Sequence, residues 1–285
     1  MASNKFKTFL EMIKFEHTIF ALPFAYLGAF LASGGFPSGY DLFWVTLAMV
    51  GARTAAMSLN RLIDRHIDAL NPRTAGRALP KGTLSIAEVW LYTIISFVLL
   101  FIAAAQLNPL CVKLMPIAVF VLVIYSYTKR WTWACHLVLG AALGLAPLGS
   151  WVAVTGSIDL PGVMLGLAVA FWVAGFDIIY ACQDFEFDKA AGIHSIPAQF
   201  GIKKSLIISA LFHLISPILL AAIGFYLGLG IFYLIGVLIA TGLLIHEHRL
   251  VKPNDLSKIG VAFMNMNGYL SMVMFLFTLL DVILS

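Results

Sequence analysis

Charged residues are scarce in this sequence. Of its 285 residues, 11% are Asp, Glu, Lys or Arg, whereas 61% are hydrophobic, and the mean hydropathy is +0.95. Soluble domains carry about 25% charged residues, so the composition excludes a soluble globular protein. Because no linker between the hydrophobic segments is long enough to form a soluble domain, the sequence predicts one all-α, polytopic membrane domain over residues 1–285.

Cysteines are few, and several familiar signatures are missing. Cys111, Cys135 and Cys182 are isolated and no C-x-x-C motif occurs, so we interpret them as packing residues and infer no redox or zinc site. The basic N-terminal segment is not followed by a short apolar core with a small-residue cleavage site, so we expect no cleavable signal peptide. The D-G-x2-A-R signature of the CDP-alcohol phosphotransferases is absent too, which argues against that enzyme class.

Long apolar segments make up most of the chain. Read with a window of about 20 residues for a bilayer core, they predict roughly nine membrane-spanning helices. The predicted spans are 16–34, 41–66, 85–106, 109–126, 136–155, 160–183, 203–226, 229–246 and 258–283. Residues 1–15 differ, because Phe6, Phe9, Leu10 and Ile13 share one helical face. This pattern predicts an amphipathic helix lying on the membrane surface.

Lys and Arg residues lie mainly on one side of the predicted helices. They cluster before the first span and after the even-numbered spans, whereas opposing loops such as SGGFPSGYD and TGSIDLPG carry none, and Lys113 is the exception. The positive-inside rule then predicts that the N-terminus and the basic loops are cytoplasmic, at a bacterial-type inner or plasma membrane. No basic cluster lies clear of the membrane boundary, so the net charge of +4 predicts no nucleic-acid partner.

A polar stripe ends the second predicted span. Asn60, Asp64 and Asp68 recur every four residues, so on a helix they form one face about three turns long. The basic residues that continue this step are Arg73, Arg77 and Lys81. Carboxylate and amide oxygens suit Mg²⁺, which completes its octahedron with water and phosphate oxygens, and the basic side chains suit phosphate itself.

A second acidic stretch ends the sixth predicted span. Asp184 and Asp188 repeat the four-residue step, and Asp177 lies seven residues before Asp184 on much the same helical face. The two stretches hold six of the 14 acidic residues, namely Asp64, Asp68, Asp177, Asp184, Glu186 and Asp188. Two facing carboxylate stripes predict a diphosphate bridged by metal.

These motifs resemble those of the UbiA superfamily of intramembrane prenyltransferases. The resemblance rests on N-x3-D-x3-D with a trailing R-T-x2-R, on the later D-x3-D with its S-x-P, and on YSYTKR between them. It covers nearly the whole chain and implies a UbiA-type bundle with a central cavity that opens to the cytoplasmic side. The family usually has Asp directly after the Asn of the first motif, whereas this chain has Arg61.

The resemblance also implies a reaction. A polyprenyl diphosphate ionises when Mg²⁺ and basic side chains neutralise its leaving group, and an aromatic ring attacks the resulting cation. The residues expected to hold Mg²⁺, partly through the diphosphate, are Asn60, Asp64, Asp68, Asp184 and Asp188. The residues expected to hold the diphosphate are Arg73, Arg77, Lys81 and Lys129. Asp177 is a candidate for an acid–base or orienting role, although the diphosphate could equally take the proton.

Family resemblance also bears on the acceptor. Relatives that act on aromatic acids carry an Arg at the position of Arg53, which would bind a carboxylate bidentately; alternatively, Arg53 neutralises Asp64 or Asp177. The favoured acceptor is 4-hydroxybenzoate, as in ubiquinone synthesis. The alternative is 1,4-dihydroxy-6-naphthoate, on the futalosine route to menaquinone, which FEHTIFALPFA near the first span favours.

Other polar and aromatic residues allow more than one interpretation. Tyr125 and Tyr180 adjoin motif residues, where they are either interface-belt aromatics or lie near the developing cation. The histidines without metal-site spacing, interpreted as satisfied or interfacial, are His17, His66, His136 and His194. A different class, an ion-coupled transporter, is less favoured because transporter sites lie near the bilayer midplane, whereas these stripes lie at helix ends.

Overall fold

The computed structural model describes residues 2–15 and 18–284, with the side chains of 5–15, 18 and 21–284. All regular elements among these residues are helices, and they include no β-strand, which confirms the all-α prediction. The α-helices are α1 (Ala2–Met12), α2 (Thr18–Ser33), α3 (Gly39–Leu70), α4 (Ile86–Leu107), α5 (Pro109–Thr128), α6 (Cys135–Thr155), α7 (Leu160–Ala181), α8 (Phe185–Ala191), α9 (Ile196–Phe200), α10 (Ile202–Leu227), α11 (Ile231–Leu250), α12 (Ile259–Val261) and α13 (Asn267–Leu284). A 3₁₀ turn (Cys182–Asp184) precedes α8, and a π-helical turn (Ala262–Met266) joins α12 to α13.

Eight helical stretches of the described residues are long and apolar enough to cross a bilayer, so the chain is an integral, multi-pass membrane protein. They correspond to the second to ninth predicted spans. The first predicted span begins at residue 16, and residues 16 and 17, including His17, lie outside the described residues. The described helix there, α2, has 16 residues. At 1.5 Å per residue it is about 24 Å long, shorter than a bilayer core of about 30 Å.

Helix α3 is longer than its apolar composition indicates. The predicted span ended at residue 66, whereas the helix continues to Leu70 and has 32 residues, or about 48 Å. Ser38 caps its N-terminus by accepting a hydrogen bond from the Asp41 backbone N–H. Asn71 ends it, with its own backbone N–H bonded to the Ile67 carbonyl. The polar last turns therefore extend beyond what the bilayer core needs.

Close packing joins α6 to α7. A Cβ atom added at Gly140 would lie 2.2 Å from the Ala170 carbonyl oxygen, and one at Gly144 would lie 2.3 Å from the Gly166 carbonyl oxygen. Only glycine allows the two backbones to come this near, as is common between membrane helices. This contact fixes α6 and α7 relative to each other, and both helices contribute to the site described below.

The N-terminal helix α1 packs on the bundle. Phe9 and Ile13 are buried against Leu62 and Leu84, while Phe6 remains 52% exposed. The predicted helix is present, but much of its apolar face contacts α3 and the loop before α4. The sequence alone had placed that whole face on the membrane surface.

Candidate active site

A cavity of about 730 Å³ lies among α2 to α8, the π-helical turn and the start of α13. Along α3 it extends from Asp68 to Val45, a rise of about 35 Å over 23 residues. Its polar end lies where α3 and α7 end, and apolar side chains line most of the remainder. The predicted site residues that line it are Arg53, Asn60, Asp64, Asp68, Arg73, Arg77, Tyr125, Lys129, Asp177, Tyr180, Asp184 and Asp188.

Asp64 is buried at the centre of the polar end. It accepts hydrogen bonds at Oδ2 from Asn60 Nδ2 (3.0 Å) and Lys129 Nζ (2.6 Å), and at Oδ1 from Arg130 Nη2 (3.0 Å). Arg130 was not predicted as a site residue, although it ends the YSYTKR motif. A buried carboxylate needs compensating positive charge. Lys129 and Arg130, which directly follow α5, supply that charge to Asp64.

Asp68, one turn further along α3, has one oxygen that accepts no hydrogen bond from the described residues. Its Oδ1 accepts a hydrogen bond from Arg77 Nη1 at 2.7 Å. Its Oδ2 is buried without a hydrogen-bond partner among the described residues, and Arg61 Nη1 lies 4.0 Å away. Arg61 donates instead to the Asn60 side-chain oxygen at 3.1 Å. An unpartnered, buried carboxylate oxygen is costly, so this atom is suited to a further ligand.

The second stripe is held by residues that follow α3. Arg73 binds Asp184 bidentately, with Nε donating to Oδ1 at 2.8 Å and Nη2 donating to Oδ2. Asn71 Nδ2 also donates to Asp184 Oδ1 at 2.9 Å. Burial lowers the pKa of Arg73, but the hydrogen bond that Arg73 donates to Asp184 and the negative charge of Asp184 raise it by more, so the pKa is raised overall and the guanidinium stays charged. These contacts bring the two motifs together at the polar end of the cavity.

Tyr180 and Asp188 complete this side of the cavity. The Tyr180 hydroxyl accepts a hydrogen bond from Arg73 Nη1 (3.0 Å), and the Arg73 guanidinium lies 5.2 Å from the ring centroid. Asp188 is buried, and its Oδ2 accepts a hydrogen bond from the Ser195 hydroxyl at 2.9 Å. Neither Asn71 nor Ser195 was predicted as a site residue, although Ser195 is the serine of the S-x-P motif; no spacing in the sequence marks Asn71.

Asp177 is paired with a buried histidine. His136 Nδ1 lies 2.7 Å from Asp177 Oδ2, and His136 is 3% exposed. The sequence interpretation of His136 as a satisfied histidine named no partner, because 41 residues separate the two positions. The pair could be found only through the contact between α6 and α7.

Arg53 lies deeper along α3 and contacts the segment between α1 and α2. Its Nη1 donates to Thr18 Oγ1 at 3.1 Å and to the Ile13 carbonyl at 3.4 Å, and its Nη2 donates to the Lys14 carbonyl at 3.1 Å. On α5, the Tyr125 hydroxyl donates to the Ala56 carbonyl of α3 at 3.0 Å. Binding of a substrate carboxylate by Arg53 stays a prediction.

Lys81 is the one predicted site residue outside the cavity lining. Its side chain is exposed. Residues 71–84 form turns, not a continuation of α3, so the four-residue step does not place Lys81 on the face of Arg73 and Arg77. Its proposed contact with diphosphate has no support from its position and stays a prediction.

The polar end fits a magnesium ion that arrives with a diphosphate. No group of three or more His, Cys, Asp or Glu within the described part of the chain is arranged to hold a metal ion by itself. The donors here are carboxylate and amide oxygens, which Mg²⁺ prefers, and Mg²⁺ commonly takes one or two carboxylates with phosphate and water oxygens. The unpartnered Oδ2 of Asp68 agrees with such a ligand. Asp64, Asp68 and Asp184 are the residues that would hold the ion.

The chain is similar to known proteins in sequence and in fold. The 4-hydroxybenzoate octaprenyltransferase of Yersinia pseudotuberculosis serotype IB (strain PB1/+) is 34% identical to it over 247 residues, which cover 86% of this chain and 85% of that protein. A UbiA homolog from Aeropyrum pernix K1, in its apo structure, has a TM-score of 0.85 and 34% identity, covering 93% of this chain and 98% of the other.

A more distant structure shares the fold. The UbiA homolog from Archaeoglobus fulgidus bound to GPP and Mg²⁺ has a TM-score of 0.65 and 24% identity, covering 94% of this chain and 99% of that one. A profile of the UbiA prenyltransferase family matches residues 21–269. The resemblance read from the motifs is confirmed, and the chain belongs to the UbiA prenyltransferase family.

Proposed function

We propose that this protein transfers a polyprenyl group from a polyprenyl diphosphate to 4-hydroxybenzoate, in a Mg²⁺-dependent step of quinone biosynthesis. The observation that carries the proposal is the pairing of two acidic stripes with cations at one end of a cavity whose remainder is largely apolar. The family match and the printed activity of the Yersinia relative support it.

The basic side chains of the polar end are suited to a departing diphosphate. Arg73, Arg77 and Lys129 each bind a carboxylate in this structure. When diphosphate is present, these cations can exchange a carboxylate oxygen for a phosphate oxygen, since both accept charge-assisted hydrogen bonds. Bound Mg²⁺ supplies a Lewis acid that neutralises the developing charge of the leaving group. The Archaeoglobus homolog bound to GPP and Mg²⁺ shares this fold.

The apolar part of the cavity is suited to the isoprenoid tail. It is lined by residues of α2, α4, α5 and α6, such as Phe24, Leu107 and Leu143. The C–O bond of an allylic diphosphate breaks with its electron pair leaving on the diphosphate, and water would capture the resulting carbocation. An apolar lining excludes that water, so the same surface binds the tail and protects the cation.

Arg53 is the proposed anchor for the acceptor. It lines the cavity, and its planar guanidinium can bind a carboxylate through two parallel hydrogen bonds. Both 4-hydroxybenzoate and 1,4-dihydroxy-6-naphthoate carry a carboxylate, so this contact alone does not separate them. The Yersinia relative favours the benzoate. We place the polar end of the cavity and the N-terminus on the cytoplasmic side, because Lys and Arg residues cluster there.

The test uses purified full-length protein in lipid. It is given Mg²⁺ and a polyprenyl diphosphate, with each of the two acceptors in turn. Prenylated 4-hydroxybenzoate is the expected product, and Asp64→Ala and Asp184→Ala should abolish it. Product from the naphthoate alone would reassign the acceptor. If neither acceptor yields a prenylated product, the result would contradict aromatic prenyl transfer.

A further inference from the structure

The hydrogen bonds of His136 define its tautomer. The backbone N–H of Ile196 donates to His136 Nε2 at 3.2 Å, so Nε2 is an acceptor and carries no hydrogen. In a neutral imidazole the other nitrogen then carries it. Nδ1–H therefore donates to Asp177 Oδ2 at 2.7 Å. The arrangement leaves Asp177 as the acceptor of this hydrogen bond and His136 as its fixed donor.

Asp177 is the more exposed member of this pair. Its side chain is 24% exposed, whereas that of His136 is 4% exposed, and Asp177 lines the cavity. Among the described residues, the hydrogen bonds of Asp177 use Oδ2 only. In a membrane helix a carboxylate that is turned toward a cavity marks a functional position, and here Oδ1 remains able to accept a proton.

Several contacts hold the imidazole in place. The segment that supplies the Ile196 N–H is fixed by the bond from the Ser195 hydroxyl to Asp188 and by the bond from His194 N–H to the Lys129 carbonyl (2.8 Å). Close packing at Gly140 fixes α6 against α7. A base whose partner is oriented in turn by further groups is the usual arrangement for proton transfer.

We propose that Asp177 is the base that accepts the ring proton of the acceptor, and that His136 is the positioning residue that aims it. The inference rests on the proposed function. A π-electron pair of the ring forms the bond to C1 of the isoprenoid. The arenium ion then loses its proton to Asp177 Oδ1, and the C–H electron pair restores aromaticity. The neutral Asp177 returns the proton to water or diphosphate as the products leave.

The experiment measures a hydrogen isotope effect. The hydroxyl of 4-hydroxybenzoate activates its ortho carbons, and the carboxylate occupies the para carbon, so the acceptor is deuterated ortho to the hydroxyl. In the unmodified protein, loss of the proton follows C–C bond formation quickly, and the ratio of protium to deuterium rates should be near unity. Asp177→Asn and His136→Ala should each lower kcat about 100-fold and raise that ratio clearly above unity. The KM for the acceptor should change little.

A conservative variant separates positioning from folding. Asn places an N–H near the position of Nδ1, so His136→Asn should recover most of the kcat lost in His136→Ala and return the isotope ratio toward unity. His213→Asn is the matched control, because His213 is equally buried but does not line the cavity; it should keep the isotope ratio of the unmodified protein.

The outcomes distinguish this inference from the proposed function. If Asp177→Asn and His136→Ala lower kcat without an isotope effect, or if His136→Asn is as impaired as His136→Ala, the assignment of base and positioning residue is overturned while the prenyl transfer stands. If the unmodified protein forms no prenylated acceptor, the proposed function fails and this inference fails with it.

Discussion

The two acidic stripes of the polar end are built differently. Asp64 and Asp68 lie on one uninterrupted helix, α3, and their side chains are 2% and 6% exposed. Asp184 ends a 3₁₀ turn, and its side chain is 15% exposed. A regular helix therefore fixes the first stripe, whereas contacts from other elements, above all Asn71 and Arg73, fix the second. The first stripe is therefore buried and lies on one helix, whereas the second is assembled by contacts from several elements.

The largest expected effect separates the stripes directly. Asp64→Asn leaves Lys129 and Arg130 without their carboxylate and removes a proposed ligand of Mg²⁺, so it should lower kcat/KM about 1,000-fold. Asp184→Asn, at the more exposed of the two carboxylates, should lower it about 100-fold. Product formation in lipid with saturating Mg²⁺ measures both.

The matched control is Asp255→Asn, because Asp255 lies in an exposed loop and, among the described residues, forms hydrogen bonds with its neighbours Ser257 and Lys252. It should retain full activity. Equal losses at Asp64 and Asp184 would contradict the distinction between a buried and an assembled stripe.

A smaller effect is expected where the second stripe is joined to the first. Arg73→Lys keeps the charge but cannot bind both Asp184 oxygens and the Tyr180 hydroxyl together. Loss of charge-assisted hydrogen bonds should raise the KM for the prenyl diphosphate about 30-fold. Arg249→Lys, at the exposed end of α11, is the control. An unchanged KM in Arg73→Lys would show that the bidentate contact does not assemble the second stripe.

A third variant, Arg53→Gln, tests whether the two stripes bind one substrate while Arg53 binds the other. Arg53 lies apart from them, so Arg53→Gln should raise the KM for the aromatic acid about tenfold through loss of an ion-paired hydrogen bond. The KM for the prenyl diphosphate should stay constant. Steady-state kinetics with each substrate varied in turn measures the two values. A rise of both would place Arg53 in the diphosphate site.

The smallest effect is expected at Lys81. Because its side chain is exposed and outside the cavity lining, Lys81→Ala should leave kcat and both KM values unchanged within about twofold. Arg77→Ala, which removes the partner of the buried Asp68, should impair activity strongly in the same assay. A comparable loss in the two variants would restore Lys81 to the diphosphate site.

Periodicity predicted the first stripe because it lies on a single helix. The four-residue step of Asn60, Asp64 and Asp68 places all three residues on α3, where Asn60 donates a hydrogen bond to Asp64. The same step does not continue along the helix to Lys81, because α3 ends at Leu70. Hydropathy placed the end of that span four residues early, since polar residues continue the helix past the apolar segment.

Tertiary contacts account for what the sequence did not predict. Residues such as Asn71, Arg130 and His136 reach the site from turns or from other helices, and their partners lie 41 to 113 positions away. The spacing of residues along the sequence does not reveal pairs that are so far apart. The family resemblance predicted the fold and the reaction class, and the site could be assembled in detail only from the packed helices.

The central claim is that the two stripes bind a diphosphate through Mg²⁺, and calorimetric titration of a polyprenyl diphosphate into the lipid-embedded protein tests it most directly. The account predicts tight binding with Mg²⁺, a large loss of affinity when Mg²⁺ is chelated, and loss of the Mg²⁺-dependent part in both Asp64→Asn and Asp184→Asn. Equal affinity with and without Mg²⁺, or a Mg²⁺ effect that survives both substitutions, would contradict it.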